Sequence, residues 1–113
     1  MGGVLSSAPP NPRLEILRSF AEKRPQDPFP RYALAMELKS RGDADQAWIA
    51  FESVLADHPD YIASYAPAGE VLIGLDRLDE ARAIYCKGIE ACARRNDAHT
   101  QGHLEDALAA LEK

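Results

Sequence analysis

The sequence predicts an all-α protein of about six antiparallel amphipathic helices, and three observations carry that expectation. Alanine and leucine supply 19 and 12 of the 113 residues, whereas Val, Ile and Thr together supply ten. Alanine and unbranched side chains lose little freedom in a helix, and β-branched ones suit strands. Apolar residues recur at three- and four-residue spacing in six stretches, each bounded by Pro, Gly or an Asn-Asp pair. Finally, the pattern repeats with a fixed period of 34 residues.

Each element has a start and a stop. Residues 1–10 are rich in Gly, Ser and Pro and read as a disordered leader. Within it, Met1 to Ser6 spell M-G-x-x-x-S, the pattern of a myristoylation acceptor at Gly2. Asn11 and Pro12 then supply an N-cap and a first-turn proline. The first helix carries Leu14, Leu17, Phe20 and Ala21 on one face and stops at Pro25. Asp27-Pro28 opens the second, with Pro30 still in the tolerant first turn, a stripe of Leu34, Ala35 and Leu38, and Gly42 as its end. Asp43 and Gln46 have capping-box spacing for a third helix, striped by Ala47, Trp48, Phe51, Val54 and Leu55 and ending before Pro59.

Asp60 is the expected cap of the fourth helix, whose stripe is Tyr65, Ala68, Gly69 and Leu72. Pro67 would lie inside that helix and kink it, at a cost of about 3 kcal/mol. A turn over Gly74–Asp76 leads to the fifth helix, striped by Leu78, Ala81, Tyr85, Gly88, Ile89 and Cys92, which Asn96-Asp97 breaks. The sixth, from about Ala98, aligns Leu104, Leu108 and Leu111.

Pro25 and Pro59, Ala35 and Gly69, Leu38 and Leu72, Ala47 and Ala81, and Phe51 and Tyr85 are all 34 apart and play matching roles. Small residues on the paired helices would let them close to about 8–10 Å, and Phe51 and Tyr85 would wedge between units. In these residues the chain resembles the tetratricopeptide repeat family over about residues 12–95. The resemblance implies a short right-handed solenoid forming one domain over residues 11–113. Its parts would be a half-unit helix at 11–25, full units at 27–59 and 60–95, and a capping helix at 97–113. There are departures: Arg31 stands where the family often has Trp, and Ala93 replaces the closing proline, so the fifth helix should run on by a turn.

The resemblance also implies a function: a non-enzymatic module that binds a protein segment in a groove lined by the first helix of each unit. Transferred to this chain, the groove would offer Phe29, Tyr32, Met36 and Lys39 from the first unit and Ala66, Glu70 and Ile73 from the second. Apolar side chains would bury the partner, and Lys39 and Glu70 would set register from the rim. Where some members clamp a carboxylate with Lys, Asn and Arg, this chain has Tyr32, Met36 and Pro67. An apolar or basic-amphipathic peptide therefore suits the groove better than an acidic tail. The alternative is a self-associating scaffold whose groove is filled by its own last helix or a second copy, giving a homodimer.

Other chemistry is weakly signalled. Net charge is −5, the wrong sign for a general nucleic-acid binder, and no apolar run approaches the roughly 20 residues of a membrane helix. Cys86 and Cys92 would lie about 9 Å apart along one helix, beyond disulfide reach, which points to reduced thiols and a cytoplasmic protein. His99 and His103 share a face but make only two ligands, and Asp76, Asp79 and Glu80 cluster where a helix start favours carboxylates. No catalytic residue, metal site or cofactor is expected. Charge is uneven along the chain: residues 1–26 carry +2, residues 27–62 carry −4 and residues 96–113 carry −3.

Overall fold

Proline marks the first residue of two of the six helices described, at Pro12 and Pro28. In the computed structural model, which describes residues 12–113, the elements are α1 (Pro12–Lys23), α2 (Pro28–Ser40), α3 (Ala44–Asp57), α4 (Tyr65–Gly74), α5 (Leu78–Arg94) and α6 (Ala98–Leu111). There is no strand among the described residues. The leader, the Gly2 acceptor pattern and the Asn11 cap lie outside them. Asp27 caps α2 by accepting a hydrogen bond from the Phe29 N–H at 3.0 Å, and Asp97 caps α6 by accepting from the Thr100 N–H at 3.0 Å. Both use the short side-chain oxygen that a helix start requires.

Two expected caps fail for one reason. The Asp43 side chain makes no cap bond and meets the Arg41 guanidinium at 3.4 Å, while Gln46 accepts from Arg18 of α1 at 3.4 Å. Asp60 is held by Arg94, at 2.7 Å from one guanidinium nitrogen. In each case a charged partner competes for an oxygen that the backbone N–H would otherwise use. Without a cap at Asp60, the chain enters the fourth helix through a 3₁₀ turn, Ile62–Ser64. Pro67 is thereby the third residue of α4 and not an interior residue. Its missing N–H lies in the first turn, where no ladder bond is lost, so the expected kink and its penalty do not arise.

Three helix ends close alike. Gly42, Asp76 and Asn96 adopt left-handed backbone, with φ of 84°, 59° and 56°. The next residue's N–H then reaches back: Asp43 to the Leu38 carbonyl, Arg77 to Leu72 and Asp97 to Cys92, at 3.0, 2.9 and 2.9 Å. Gly42 and Asp76 are 34 apart, so the period extends to the backbone. In the second turn the left-handed residue is Asp76, and Gly74 stays helical. By contrast, α3 ends without a left-handed residue, at His58, which precedes Pro59. α5 has no such proline and is longer, 17 residues against 14 for α3.

The helices form two layers. Lys39 pairs with Glu70 at 3.0 Å, tying α2 to α4, and Arg18 reaches Gln46, tying α1 to α3. α5 continues the second layer and α6 the first. The thinnest dimension, 19 Å, is that of two helices stacked. Between the layers lie Ala35, Leu38, Ala47, Phe51 and Val54 in the first unit and Ala68, Leu72, Ala81 and Tyr85 in the second, none more than 2% exposed. Leu104 of α6 and Cys92 of α5 complete the core.

Gly69 and Gly88 each make room for an aromatic side chain. A Cβ on Gly69 would lie 2.2 Å from Tyr85 Cε1, and one on Gly88 would lie 2.8 Å from Tyr65 Cβ and from Leu104 Cδ1. The space at Gly69 is therefore for a ring, beyond the simple helix approach that its pairing with Ala81 predicts. Phe20 is a correction. It belongs to the expected core stripe of α1 yet is 49% exposed, and α1 buries no residue fully. α1 packs mainly on α2, and no helix precedes it among the described residues. Leu78, at the start of α5, is likewise left 41% exposed.

Candidate functional site

All seven groove residues expected from the sequence lie on α2 and α4, in one layer. Phe29 is 59% and Ile73 38% exposed, the two large apolar side chains which that layer leaves open. Tyr32, Met36 and Ala66 are half-buried. Tyr32 is fixed by aromatic neighbours: its ring centroid lies 5.4 Å from Tyr61, 6.4 Å from the buried Phe51 and 6.4 Å from Phe29. Those are the spacings of tilted and edge-to-face pairs. Lys39 and Glu70 bond each other instead of standing as two separate rim charges.

Tyr61 escapes the sequence reading. It follows Asp60 in a connector, outside every apolar stripe, and only the packing of that connector beneath α2 brings it to Tyr32. Burial, the Tyr32 phenol and the Asp27 carboxylate push its hydroxyl above the ordinary tyrosine range. It is thus a neutral wall of the aromatic cluster at ordinary pH. Arg31, at the family's tryptophan position, closes α3 from the other side. Its guanidinium donates to the Ser53 carbonyl at 3.2 Å and Oγ at 2.8 Å and pairs with Asp57 at 3.0 Å. A cation at the end of α3 complements the free carbonyls there.

The second layer carries clefts of its own. One of about 620 Å³ lies between α3 and α5 over Trp48, Leu55, Tyr65 and Ile84. A smaller one, about 380 Å³, lies between α1 and α3. Most of their lining residues match at a spacing of 34, as in Ala21 and Leu55, Arg31 and Tyr65, and Ala50 and Ile84. The clefts are thus a product of stacking one unit on the next. Trp48 is 7% exposed, and the Arg77 guanidinium sits 5.8 Å over its ring.

The remaining candidates have structural explanations. Glu80 binds Arg77 at 2.6 Å and Asp79 binds Arg82 at 2.7 Å, and the Arg77 bond holds the Glu80 carboxyl below the ordinary range. His99 and His103 stack with ring centroids 6.2 Å apart on the exposed side of α6. No group of three or more metal-binding side chains occurs among the described residues. Cys86 is exposed and Cys92 buried. None of the helices described is long and apolar enough to cross a membrane.

Paired helices stacked in two layers, with apolar side chains left open on the layer of first helices, define the class: a helical-repeat solenoid. Comparison with solved structures gives the family. A tetratricopeptide repeat domain protein from Salinibacter ruber, solved in solution, is 36% identical over 78% of this chain and 89% of its own, with a TM-score of 0.73. A crystal structure of a tetratricopeptide repeat domain protein from the same organism gives 36% identity, 76% and 97% coverage and a TM-score of 0.72. A Bordetella parapertussis protein shares the fold at 20% identity, covering 91% of this chain and 90% of its own with a TM-score of 0.76. No family model matches the sequence, and no curated protein does. The chain belongs to the tetratricopeptide repeat family.

Proposed function

We propose that the chain is a non-enzymatic protein-interaction module that takes an apolar or basic-amphipathic segment of a partner against α2 and α4. The family fold suggests protein–protein interaction as the class of work, and as a repeat fold it suggests a non-catalytic one. One observation supports the finer reading most: Phe29 and Ile73 stand open on the layer of first helices, beside an aromatic cluster anchored to the core. Apolar anchors that are rigid before binding lose little entropy on association. The acidic balance of residues 27–62 favours a basic flank on the partner. α6 packs on α5 and leaves Phe29, Glu70 and Ile73 exposed, which supports an external ligand over the chain's own last helix.

Selection of a displayed peptide library against the parent tests the reading, with a folded Phe29→Asp/Ile73→Asp variant as the counter-screen. Enriched peptides should be apolar and basic and should bind the variant at least about tenfold more weakly, the loss of one good anchor. Acidic winners, or winners that bind both proteins alike, would overturn it.

A further inference from the structure

The two clefts of the second layer hold the same place in the repeat and have opposite chemistry. At matching positions, 34 apart, Arg18, Arg31 and Gln46 of the cleft between α1 and α3 become Glu52, Tyr65 and Glu80 of the cleft between α3 and α5. Three carboxylates, Glu52, Glu80 and Glu90, line the second beside Lys87 and Arg94, and none lines the first. Apart from its two arginines, Gln46 and Ser53, the first cleft is apolar. Its wall is Ala21, Leu34, Leu38, Ala50 and the 63% exposed Ile49.

Within that cleft the Arg31 guanidinium is only half used. Nη1 carries its bonds to Ser53 and Asp57, whereas Nε and Nη2 are buried without a partner. Those two nitrogens form one edge of the planar group, with parallel N–H donors that match the two oxygens of a carboxylate. Burying such donors unpaired is costly, and an entering acceptor removes the cost. The surrounding charges also suit an anion. Asp57 balances Arg31, but Arg18 bonds a neutral amide, Gln46, at 3.4 Å and pairs with no carboxylate among the described residues. Glu15 and Glu22 flank Arg18 along α1, and Asp45 and Glu52 lie on α3, yet none of the four lines this cleft.

We propose that the cleft between α1 and α3 binds a small carboxylate with an apolar body. The carboxylate takes the unpaired edge of Arg31 and draws Arg18 from Gln46, and the body lies over Leu34, Ile49 and Ala50. A volume of about 380 Å³ is that of a small-molecule site. A phosphate ion, polar throughout, would leave the apolar wall unfilled. The Arg31 edge is covered in this structure, so entry requires α1 to give way; that helix buries no residue fully and has little packing to lose. The site lies on the layer opposite Phe29 and Ile73, and it stands or falls apart from the groove.

Titration of the isotope-labelled full chain with octanoate, followed by amide chemical shifts, tests this, with octanol and octylammonium as probes of equal length. Octanoate should shift α1 and the amides of Arg31, Leu34, Ile49 and Ala50. It should bind at least about tenfold more tightly than octanol, the contribution of one hydrogen bond to a charged group. Octylammonium should not bind there. Arg31→Gln should erase the preference for octanoate over octanol. Should that variant not fold, Ile49→Glu, at an exposed position, should abolish octanoate binding by setting a carboxylate beside it. Octanoate and octanol binding alike, octanoate shifting α5 around Ile84 instead, or no shift at all would overturn the inference. So would an octanoate affinity unchanged in Ile49→Glu.

Discussion

A methyl group on Gly69 would lie 2.2 Å from Tyr85 Cε1 and 2.5 Å from its Cζ, so even alanine there must displace a ring that is 2% exposed. Gly69→Leu is expected to cost about 1–3 kcal/mol of stability through overpacking. Gly102, in α6, has open space around its Cβ position, and Gly102→Ala should stabilise by up to about 1 kcal/mol. Urea unfolding of the two variants checks both, and the opposite signs separate packing from propensity. The cysteines make a second contrast. Cys86 should react promptly with a thiol reagent in the native protein, and Cys92 only as the chain unfolds. Burial, and then the Asp97 carboxylate, push the Cys92 thiol up. Below pH about 9 folded and unfolded chains both hold that proton; above it the unfolded chain loses its proton first, so stability falls as pH rises. Tyr61, Tyr65 and Tyr85, all raised chiefly by burial, act in the same direction at higher pH. A urea midpoint that does not decline on the alkaline side would count against this account.

Helix by helix, the starts divide into those with a working cap and those without. Asp27 accepts a backbone N–H and Asp43 does not. Asp27→Ala should therefore cost about 1 kcal/mol and Asp43→Ala only a few tenths, as read from urea midpoints. Spacing alone assigns both as caps and gives Asp43 the better motif, a capping box with Gln46. What separates them is Arg41 beside Asp43 and Arg18 reaching Gln46 from another helix, and the second of these is not local information. Pro67 teaches the same point. Its place on α4 follows from where the 3₁₀ turn lets the helix begin, and that depends on Arg94 holding Asp60 across 34 residues of chain.

Across the whole molecule, stability should be graded along the solenoid, because each helix leans mainly on its neighbours in sequence. α1 buries nothing fully, whereas α3, α4 and α5 carry most of the core. Amide exchange should be fastest in α1 and slowest in α3 to α5. Protection of α1 equal to that of α3 to α5 would contradict this gradient.

Composition, apolar spacing and the 34-residue period were enough to determine an all-α repeat protein, its six helices, its family and the layer that carries Phe29, Tyr32, Met36 and Ile73. These features are local or periodic, and short-range helix physics reads them directly. Only the tertiary structure decided which acidic side chains cap and which pair, that Pro67 falls in the first turn of a helix, that Gly69 houses the Tyr85 ring and that Tyr61 joins the aromatic cluster. The exposure of Phe20 belongs with them. An apolar residue in perfect register is buried only where another helix packs over it, and register does not say whether one does.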